Sequence, residues 1–122
     1  MPLRCTLNIL VSTCFTKRIV PMAAVLSNQE RGVLQSELIQ WSMVQNRDAI
    51  TRTYQFKDFK QAFAFMTQSA LMAEQMNHHP EWFNVWSRVE VTLSTHDAKG
   101  LTKLDIELAK AMDQFAQSLL TK

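Results

Sequence analysis

The hydrophobic pattern of this chain changes its period at Pro80, and this change constrains the fold more than any other feature. Before Pro80, apolar residues recur every three or four positions, which predicts a long helix with one buried side. They are Phe59, Ala62, Phe63, Met66, Ala70, Ala73 and Met76. Proline cannot continue a helix and disfavours helical geometry in the preceding His79, so we expect the helix to end near Asn77. From Phe83 onward the apolar residues alternate instead, as they do in strands.

The alternating residues predict half-buried strands. After Pro80, we expect one face to carry Phe83, Val85, Val89, Val91 and Leu93, and the other to carry Trp82, Asn84, Trp86, Arg88, Glu90 and Thr92. The segment from Ile50 to Phe56 alternates in the same way, and Asn46-Arg47-Asp48 before it has the composition of a turn between two strands. One apolar face and one mixed face favour an antiparallel sheet with its helices on one side.

Capping patterns place the helices. A hydroxyl or carboxylate followed three residues later by an acid or amide satisfies the free backbone N–H groups at a helix start. The pairs are Ser27 with Glu30, Asp58 with Gln61, and Thr102 with Asp105. The first pair opens a short helix predicted from Asn28 to Ile39. The resulting order, α-β-β-α-β-β-α, predicts an α+β fold, a two-layer sandwich whose antiparallel sheet has three helices packed on one face.

Charge separates the N-terminal segment from the rest. The chain has 122 residues, with 13 Lys and Arg against 11 Asp and Glu, but the stretch up to Gln29 contains no acid. We therefore assign residues 1–26 to an extension outside the fold and residues 27–122 to one domain. The extension has the composition of a mitochondrial transit peptide, and a misplaced start with Met22 as the true first residue explains it equally well. We expect a cytoplasmic protein, or a mitochondrial one if the extension is a transit peptide.

Several classes of partner are disfavoured. No apolar run approaches the ~20 residues that a membrane-spanning helix needs, so we expect no membrane partner. The part of the chain after Gln29 is close to neutral, which gives no bulk attraction to nucleic acid. Both cysteines, Cys5 and Cys14, lie in the N-terminal extension and make no disulfide framework, which favours a reducing compartment.

All three histidines lie at breaks between predicted elements. His78 and His79 follow the long helix, and His96 follows the last strand. Imidazoles titrate near neutral pH, so together with nearby carboxylates they would make a proton-transfer pocket. On spacing alone, a polar helix terminus that satisfies the last carbonyls ranks ahead of catalysis. A metal site ranks behind both, since adjacent histidines seldom converge on one ion.

The sequence around these histidines resembles a known family. It contains the run Glu74-Gln-Met-Asn-His78-His79-Pro80-Glu-Trp82-Phe-Asn84-Val-Trp86, then Val89-Glu-Val-Thr-Leu-Ser-Thr95-His96-Asp97, and later Asp105. This pattern is similar to that of the pterin-4a-carbinolamine dehydratases, also known as dimerisation cofactors of a hepatocyte homeodomain transcription factor. The similarity extends roughly from Ser27 to the C-terminus and places catalysis ahead of the helix-terminus interpretation.

The resemblance implies an activity and a set of site residues. The reaction would be loss of water from 4a-hydroxytetrahydropterin to give quinonoid dihydropterin, in tetrahydrobiopterin recycling, with no cofactor and no metal. By position, His78, His79 and His96 match the family's essential histidines. The resemblance also implies a pterin-binding set in which Glu74 and Asp105 are acidic neighbours, Trp41 and Pro80 wall the pocket, and the backbone at Ser94 and Thr95 contacts the ring. Asn77 stands where many members have Asp, and we expect this change to weaken activity or lower its pH optimum.

The resemblance also implies partners. It favours a homodimer or homotetramer, and its alternative function is a non-enzymatic binding module for the dimerisation helix of a transcription factor. Both would use a second face of the long helix. Our candidates for that face are Phe65, Leu71 and Met72, which lie off the main apolar stripe.

Overall fold

The computed structural model describes residues 23–121, which form one four-stranded antiparallel sheet and three helices. In chain order the elements are α1 Gly32–Ser36, β1 Ser42–Met43, β2 Ile50–Gln55, α2 Phe59–Met76, β3 Glu81–Val85, β4 Arg88–Leu93 and α3 Lys103–Leu120. This confirms the predicted α+β class and the order of elements. In the sheet the strand order is β1-β2-β4-β3, so β2 and β4 lie in the centre.

The core lies between the sheet and the two long helices. Every second residue of β4 is fully buried, because one face of the strand packs under α2 and α3 while the other is half-exposed. In β2, Ile50 and Tyr54 are buried on the same side, and Phe56 follows them, as the alternation predicted.

Both long helices begin at the predicted caps. The Asp58 side chain accepts from the Gln61 N–H at the start of α2, and Thr102 and Asp105 form a complete capping box at the start of α3. At the other end of α2, Asn77 adopts the left-handed conformation with φ of 51°, which Asn tolerates better than most residues and which ends the helix where Pro80 required it.

The first helix is shorter than predicted. The Ser27–Glu30 capping box forms, with N···O distances of 3.0 and 3.2 Å, but residues 28–31 are turns and α1 has only five residues. No residue of α1 is fully buried and only Leu34 packs partly against the core, and a helix with so little tertiary packing does not propagate in water.

The fold begins before the predicted boundary at residue 27. Leu26 is 4% exposed and belongs to the core, and its N–H donates to the carbonyl of Leu101 at 2.8 Å. The rest of the predicted extension, residues 1–22, lies outside the described residues. The transit-peptide and misplaced-start interpretations therefore stay open.

The buried side of α2 differs from the predicted stripe. The buried residues are Ala62, Phe65, Ser69 and Ala73, whereas Phe59 and Phe63 are 45% and 55% exposed. Phe65 was assigned to the outer face, but its ring lies 4.5 Å from that of Tyr54 and 5.1 Å from that of Phe56. Ala62 and Ala73 of the predicted stripe are buried, and Met66 and Met76 pack partly against the core. The helix is rotated so that Phe65 replaces Phe63 on the buried side, where the small side chains beside it let the helix approach its neighbours closely.

The faces of β3 were also predicted wrongly. Val85 lies opposite Arg88, so only Trp86 and Ser87 connect the strands, and this two-residue turn reverses the alternation. Trp82 and Asn84 therefore share the helix-covered face with Val89 and Val91. Phe83 and Val85 lie on the open face and are 56% and 49% exposed.

This pairing predicts that the same substitution lowers the free energy of unfolding by different amounts on the helix-covered face and on the open face of the sheet. Val91 is fully buried and Val85 is 49% exposed. Val91→Ala should lower the free energy of unfolding by about 2 kcal/mol, since it removes two buried methyl groups and leaves a cavity. Val85→Ala should cost under about 0.5 kcal/mol. Urea unfolding of both variants measures the difference, and equal costs would contradict the pairing.

Candidate active site

All three histidines line one cavity of about 680 Å³. It opens between the C-terminal end of α2, the loop after β4 and the start of α3. Its lining consists of Ala23, Met76, Asn77, His78, His79, Ser94, Thr95, His96, Asp97 and Leu104. The structure thus brings together the two histidines after α2 and the histidine after β4, which are 17 positions apart.

His78 is held by a buried carboxylate. Its Nε2 lies 2.6 Å from Oδ1 of Asp105, and the two side chains are 7% and 0% exposed. Oδ2 of Asp105 accepts from the Thr95 hydroxyl at 2.7 Å and from the Thr102 N–H at 2.9 Å. Asp105, which belongs to the capping box of α3, is therefore also the partner of a pocket histidine. Both oxygens of this buried carboxylate are hydrogen-bonded.

The hydroxyl groups around Asp105 form a hydrogen-bond chain that ends on its carboxylate. Leu104 N–H donates to Thr102 Oγ1, Thr102 and Thr95 share a hydrogen bond of 2.7 Å, and Thr95 O–H donates to Asp105. The proton order that satisfies this chain runs from Thr102 through Thr95 to the carboxylate. An ionised Asp105 can only accept, so in a neutral His78 we expect the proton of this contact on Nε2 and the lone pair on Nδ1.

His79 is in a more exposed environment. Its Nε2 lies 2.7 Å from Oε1 of Glu74, one turn back on α2, and the side chains are 59% and 78% exposed. The left-handed Asn77 explains why consecutive histidines differ: the chain reverses direction there, so His78 points inward and His79 remains at the cavity mouth.

His96 lines both this cavity and a smaller one. The second cavity, of about 290 Å³, is lined by Arg47, Asp48, Glu81, Ser94, Thr95, His96 and Lys99. Glu81 forms a double hydrogen bond with Arg47, and these contacts lower the pKa of Glu81, with a further small lowering from the positive charge that His96 can carry. His96 therefore lies within electrostatic reach of a carboxylate, as the other two histidines do.

Some predicted site residues lie elsewhere. Trp41 does not reach the cavity; its indole N–H donates to Asp113, near the middle of α3, and it lines a different cleft. Pro80 follows His79 but is not among the lining residues. Ser94 lines the cavity, and its hydroxyl donates to the backbone carbonyl of Asp48.

Two functional features were missed from the sequence. The Thr95 side chain contacts Asp105, although only its backbone had been implicated, and Thr102 had been treated only as a helix cap. The capping pattern Thr102-Lys-Leu-Asp105 was the available signal, because a buried capping carboxylate has an oxygen left for a further donor.

The described residues contain neither a metal-binding cluster nor a helix suited to a membrane. Within residues 23–121, no group of three or more His, Cys, Asp or Glu side chains is arranged to hold a metal ion. No helix in this part of the chain is both long and apolar enough to span a bilayer.

The fold and site define a small α+β protein with an imidazole pocket at one end of an antiparallel sheet, and sequence comparison specifies the family. The profile of the family described as pterin 4 alpha carbinolamine dehydratase matches residues 24–115. The chain therefore belongs to this family, which confirms the resemblance.

Individual relatives agree with this assignment. A Burkholderia multivorans protein named "Putative pterin-4-alpha-carbinolamine dehydratase" is 57% identical over 95 residues, which are 78% of this chain and 93% of that protein. A Bradyrhizobium diazoefficiens protein of the same name is 54% identical over 96 residues, covering 79% and 96% of the two chains.

Solved structures show the same fold. A protein described as a transcriptional coactivator/pterin dehydratase from Brucella melitensis superposes with a TM-score of 0.72 at 49% identity, covering 75% of this chain and 98% of that one. A pterin dehydratase-like RuBisCO assembly factor of the alpha-carboxysome is 20% identical, with a TM-score of 0.56 over 63% of this chain and 89% of its own. The second likeness is one of fold alone.

The contact with Asp105 predicts a single neutral tautomer for His78. Long-range 1H–15N correlation spectra of chain labelled at histidine should give a protonated Nε2 and an unprotonated Nδ1 for His78. Asp105→Asn should relax this preference, because an amide can also donate. A neutral His78 with its proton on Nδ1 in the unaltered chain would contradict the hydrogen-bond order.

Proposed function

We propose that the chain catalyses the dehydration of 4a-hydroxytetrahydropterin by histidine acid/base catalysis. In this reaction the C4a–O bond breaks as an acid donates a proton to the leaving hydroxyl. A base removes the proton on N5, the N5–C4a double bond forms, and the products are quinonoid dihydropterin and water. Electrons and protons balance without a redox partner, so the reaction needs only a proton donor at the hydroxyl of C4a and a proton acceptor at the neighbouring N5.

The observation that carries this proposal is the cavity lined by His78, His79 and His96, each with a carboxylate in reach. A cavity of about 680 Å³ is large enough for a bicyclic ligand. The two histidines that contact a carboxylate directly have different environments: His78 is buried against Asp105, and His79 is exposed beside Glu74. Different environments are what separate an acid from a base in a pair of titratable groups.

The contact between His78 and Asp105 supports a role for His78 as the base. With its Nε2–H bonded to Asp105, His78 can accept a proton at Nδ1, and Asp105 stabilises the imidazolium that forms. His79 is 59% exposed and can exchange protons with water between turnovers. The substrate is the carbinolamine left after aromatic hydroxylation, and its dehydration product still has to be reduced to tetrahydropterin by another enzyme. We therefore place the protein in tetrahydrobiopterin recycling, in the cytoplasm, or in mitochondria if the N-terminal segment is a transit peptide.

The proposal predicts a rate that depends on the histidines. The wild-type chain should accelerate dehydration of enzymatically generated 4a-hydroxytetrahydropterin, followed by the absorbance of the quinonoid product. His79→Ala and His96→Ala should each lower kcat by roughly 100-fold, which is typical for loss of one acid/base group.

Two comparisons make this experiment decisive. Thr53→Ala, which alters an exposed residue on the open face of the sheet, should keep wild-type activity, and circular dichroism should verify the fold of every variant. A wild-type rate equal to the spontaneous rate would refute the proposal, and so would histidine variants as active as the wild type.

We also propose a second function, binding of a helical partner or a second copy of the chain through the outer face of α2. Phe59, Phe63 and Leu71 are 45%, 55% and 68% exposed on this helix, and the Phe59 and Phe63 rings stack at 5.5 Å. Three large apolar side chains on one exposed helix favour an association surface. Of the residues expected on this face, Leu71 fits, whereas Phe65 is buried and Met72 is partly buried. The related Brucella protein is described as a transcriptional coactivator as well as a pterin dehydratase.

This surface predicts a homodimer or homotetramer. Light scattering at micromolar concentration should give a mass above 14.1 kDa per particle for the wild type. Phe63→Glu with Leu71→Glu should reduce the mass, because charges would be buried without partners. Gln68→Glu, which adds charge at another exposed position of α2, should leave it unchanged. A monomeric wild type would count against the homo-oligomer and direct the search to a partner helix.

A further inference from the structure

The loop that carries His96 closes tightly onto one carboxylate. A Cβ added to Gly100 would lie 2.5 Å from Oδ2 of Asp48, so even a methyl group does not fit. That oxygen cannot move away freely, because it also accepts from Arg31 at 2.8 Å and from the Leu101 N–H at 3.0 Å. Glycine is therefore required at position 100 by close approach, without a left-handed φ.

Asp48 holds both ends of this loop. At the first end, its backbone carbonyl accepts from the Ser94 hydroxyl at 2.9 Å. At the other end, its carboxylate accepts from the Leu101 N–H. Between the ends, Thr95 and Gly100 exchange backbone hydrogen bonds of 3.0 and 3.3 Å, and the Lys99 N–H donates to the His96 carbonyl. His96 thus lies on a small closed loop whose two ends rest on one residue.

Arg31 fixes Asp48 in turn. The guanidinium bonds both carboxylate oxygens, at 2.7 and 2.8 Å, and its Nε–H donates to the Leu26 carbonyl at 3.2 Å. The Leu26 N–H then donates to the carbonyl of Leu101, which closes a ring of contacts back to the loop. A two-point Arg–carboxylate contact sets orientation as well as distance. These hydrogen bonds keep the pKa of Asp48 below its usual value, so the acceptor remains charged.

We propose that Arg31 and Asp48 are positioning residues of the active site, which hold the loop of residues 94–101 so that His96 faces the cavity. This inference rests on the proposed function, because it gives these residues a role in the same reaction. Neither side chain is a catalytic residue. Their effect is on the placement of an imidazole, and a displacement of about 1 Å at a reacting group can cost on the order of 100-fold in rate.

The loop is held between two carboxylates. On the side of His78, the Asp105 carboxylate accepts from the Thr95 hydroxyl and the Thr102 N–H. The Asp48 carboxylate accepts from the Leu101 N–H, while the Ser94 hydroxyl donates to the backbone carbonyl of Asp48. Asp105 contacts its histidine directly, whereas Asp48 acts through the backbone of the loop. Loss of Asp48 should therefore displace His96 without displacing His78 or His79.

The chain offers a matched control outside both histidine cavities. Asp113 on α3 is 25% exposed against 29% for Asp48, and it also binds an arginine, Arg52. It further accepts from Trp41 and Tyr54. None of these residues lines either histidine cavity. Asp113→Ala therefore removes a comparable carboxylate, with a comparable structural cost, at a distance from the site.

The experiment compares Asp48→Ala, Arg31→Met and Arg31→Lys with Asp113→Ala. For each variant the free energy of unfolding, the kcat and KM of dehydration, and the imidazole 1H–15N signals of the histidines are measured. Asp48→Ala and Arg31→Met should lower kcat/KM roughly tenfold or more and shift or split the His96 signals, while the His79 signals stay in place. Arg31→Lys, which can make one of the two contacts, should recover part of the rate.

The control separates positioning from stability. Asp113→Ala should lose a similar free energy of unfolding yet keep kcat/KM within about twofold, because distant sites act independently. Equal losses of activity in Asp48→Ala and Asp113→Ala would overturn the proposal, as would unchanged His96 signals. If Asp48→Ala does not fold, the proposal is tested by the activity and the His96 signals of Arg31→Met and Arg31→Lys. If the wild type does not accelerate dehydration, the proposed function fails, and the His96 signals still test the positioning role.

Discussion

The buried carboxylate of Asp105 is the constraint on which the site depends. A charge with no solvent access is costly to bury unless donors surround it, and here a backbone N–H, a hydroxyl and an imidazole do so. Each donor comes from a different element: the start of α3, the end of β4 and the end of α2. Satisfying one charge therefore fixes the relative positions of three elements, and the histidine pocket lies where they meet.

Features encoded over a few residues could be predicted from the sequence. The caps at Asp58 and Thr102, the helix end at Asn77 and the alternation in β2 each depend on neighbours within about four positions. The pocket followed from these local features, because its histidines lie directly after elements whose ends were readable. The motif resemblance then specified which of several chemistries to expect there.

Features that depend on distant contacts could not be predicted. Because the turn between β3 and β4 has two residues, Trp86 and Ser87, odd-numbered residues of β3 lie opposite even-numbered residues of β4. The faces of β3 are therefore the reverse of those expected from an alternation that continues unbroken through the turn. Which side of α2 is buried depends on its packing against the rest of the fold, which buries Ala62 and Ala73 and leaves Phe63 exposed. The contact of Trp41 with Asp113 could not be predicted, because the two residues are 72 positions apart and no local pattern indicates it.

The same distinction applies to the two carboxylates beside the pocket. Asp105 was visible in the sequence because it is also a helix cap. The sequence pattern indicated Asp48 only as a turn residue. Its contacts with Arg31 and Leu101 could not be predicted, because they span 17 and 53 positions. A pocket that must hold imidazoles in place needs both kinds of support, because a loop supported by a helix cap alone can still rotate about that end. The acid/base groups are thus local in sequence, while the precision of their placement is a property of the whole fold.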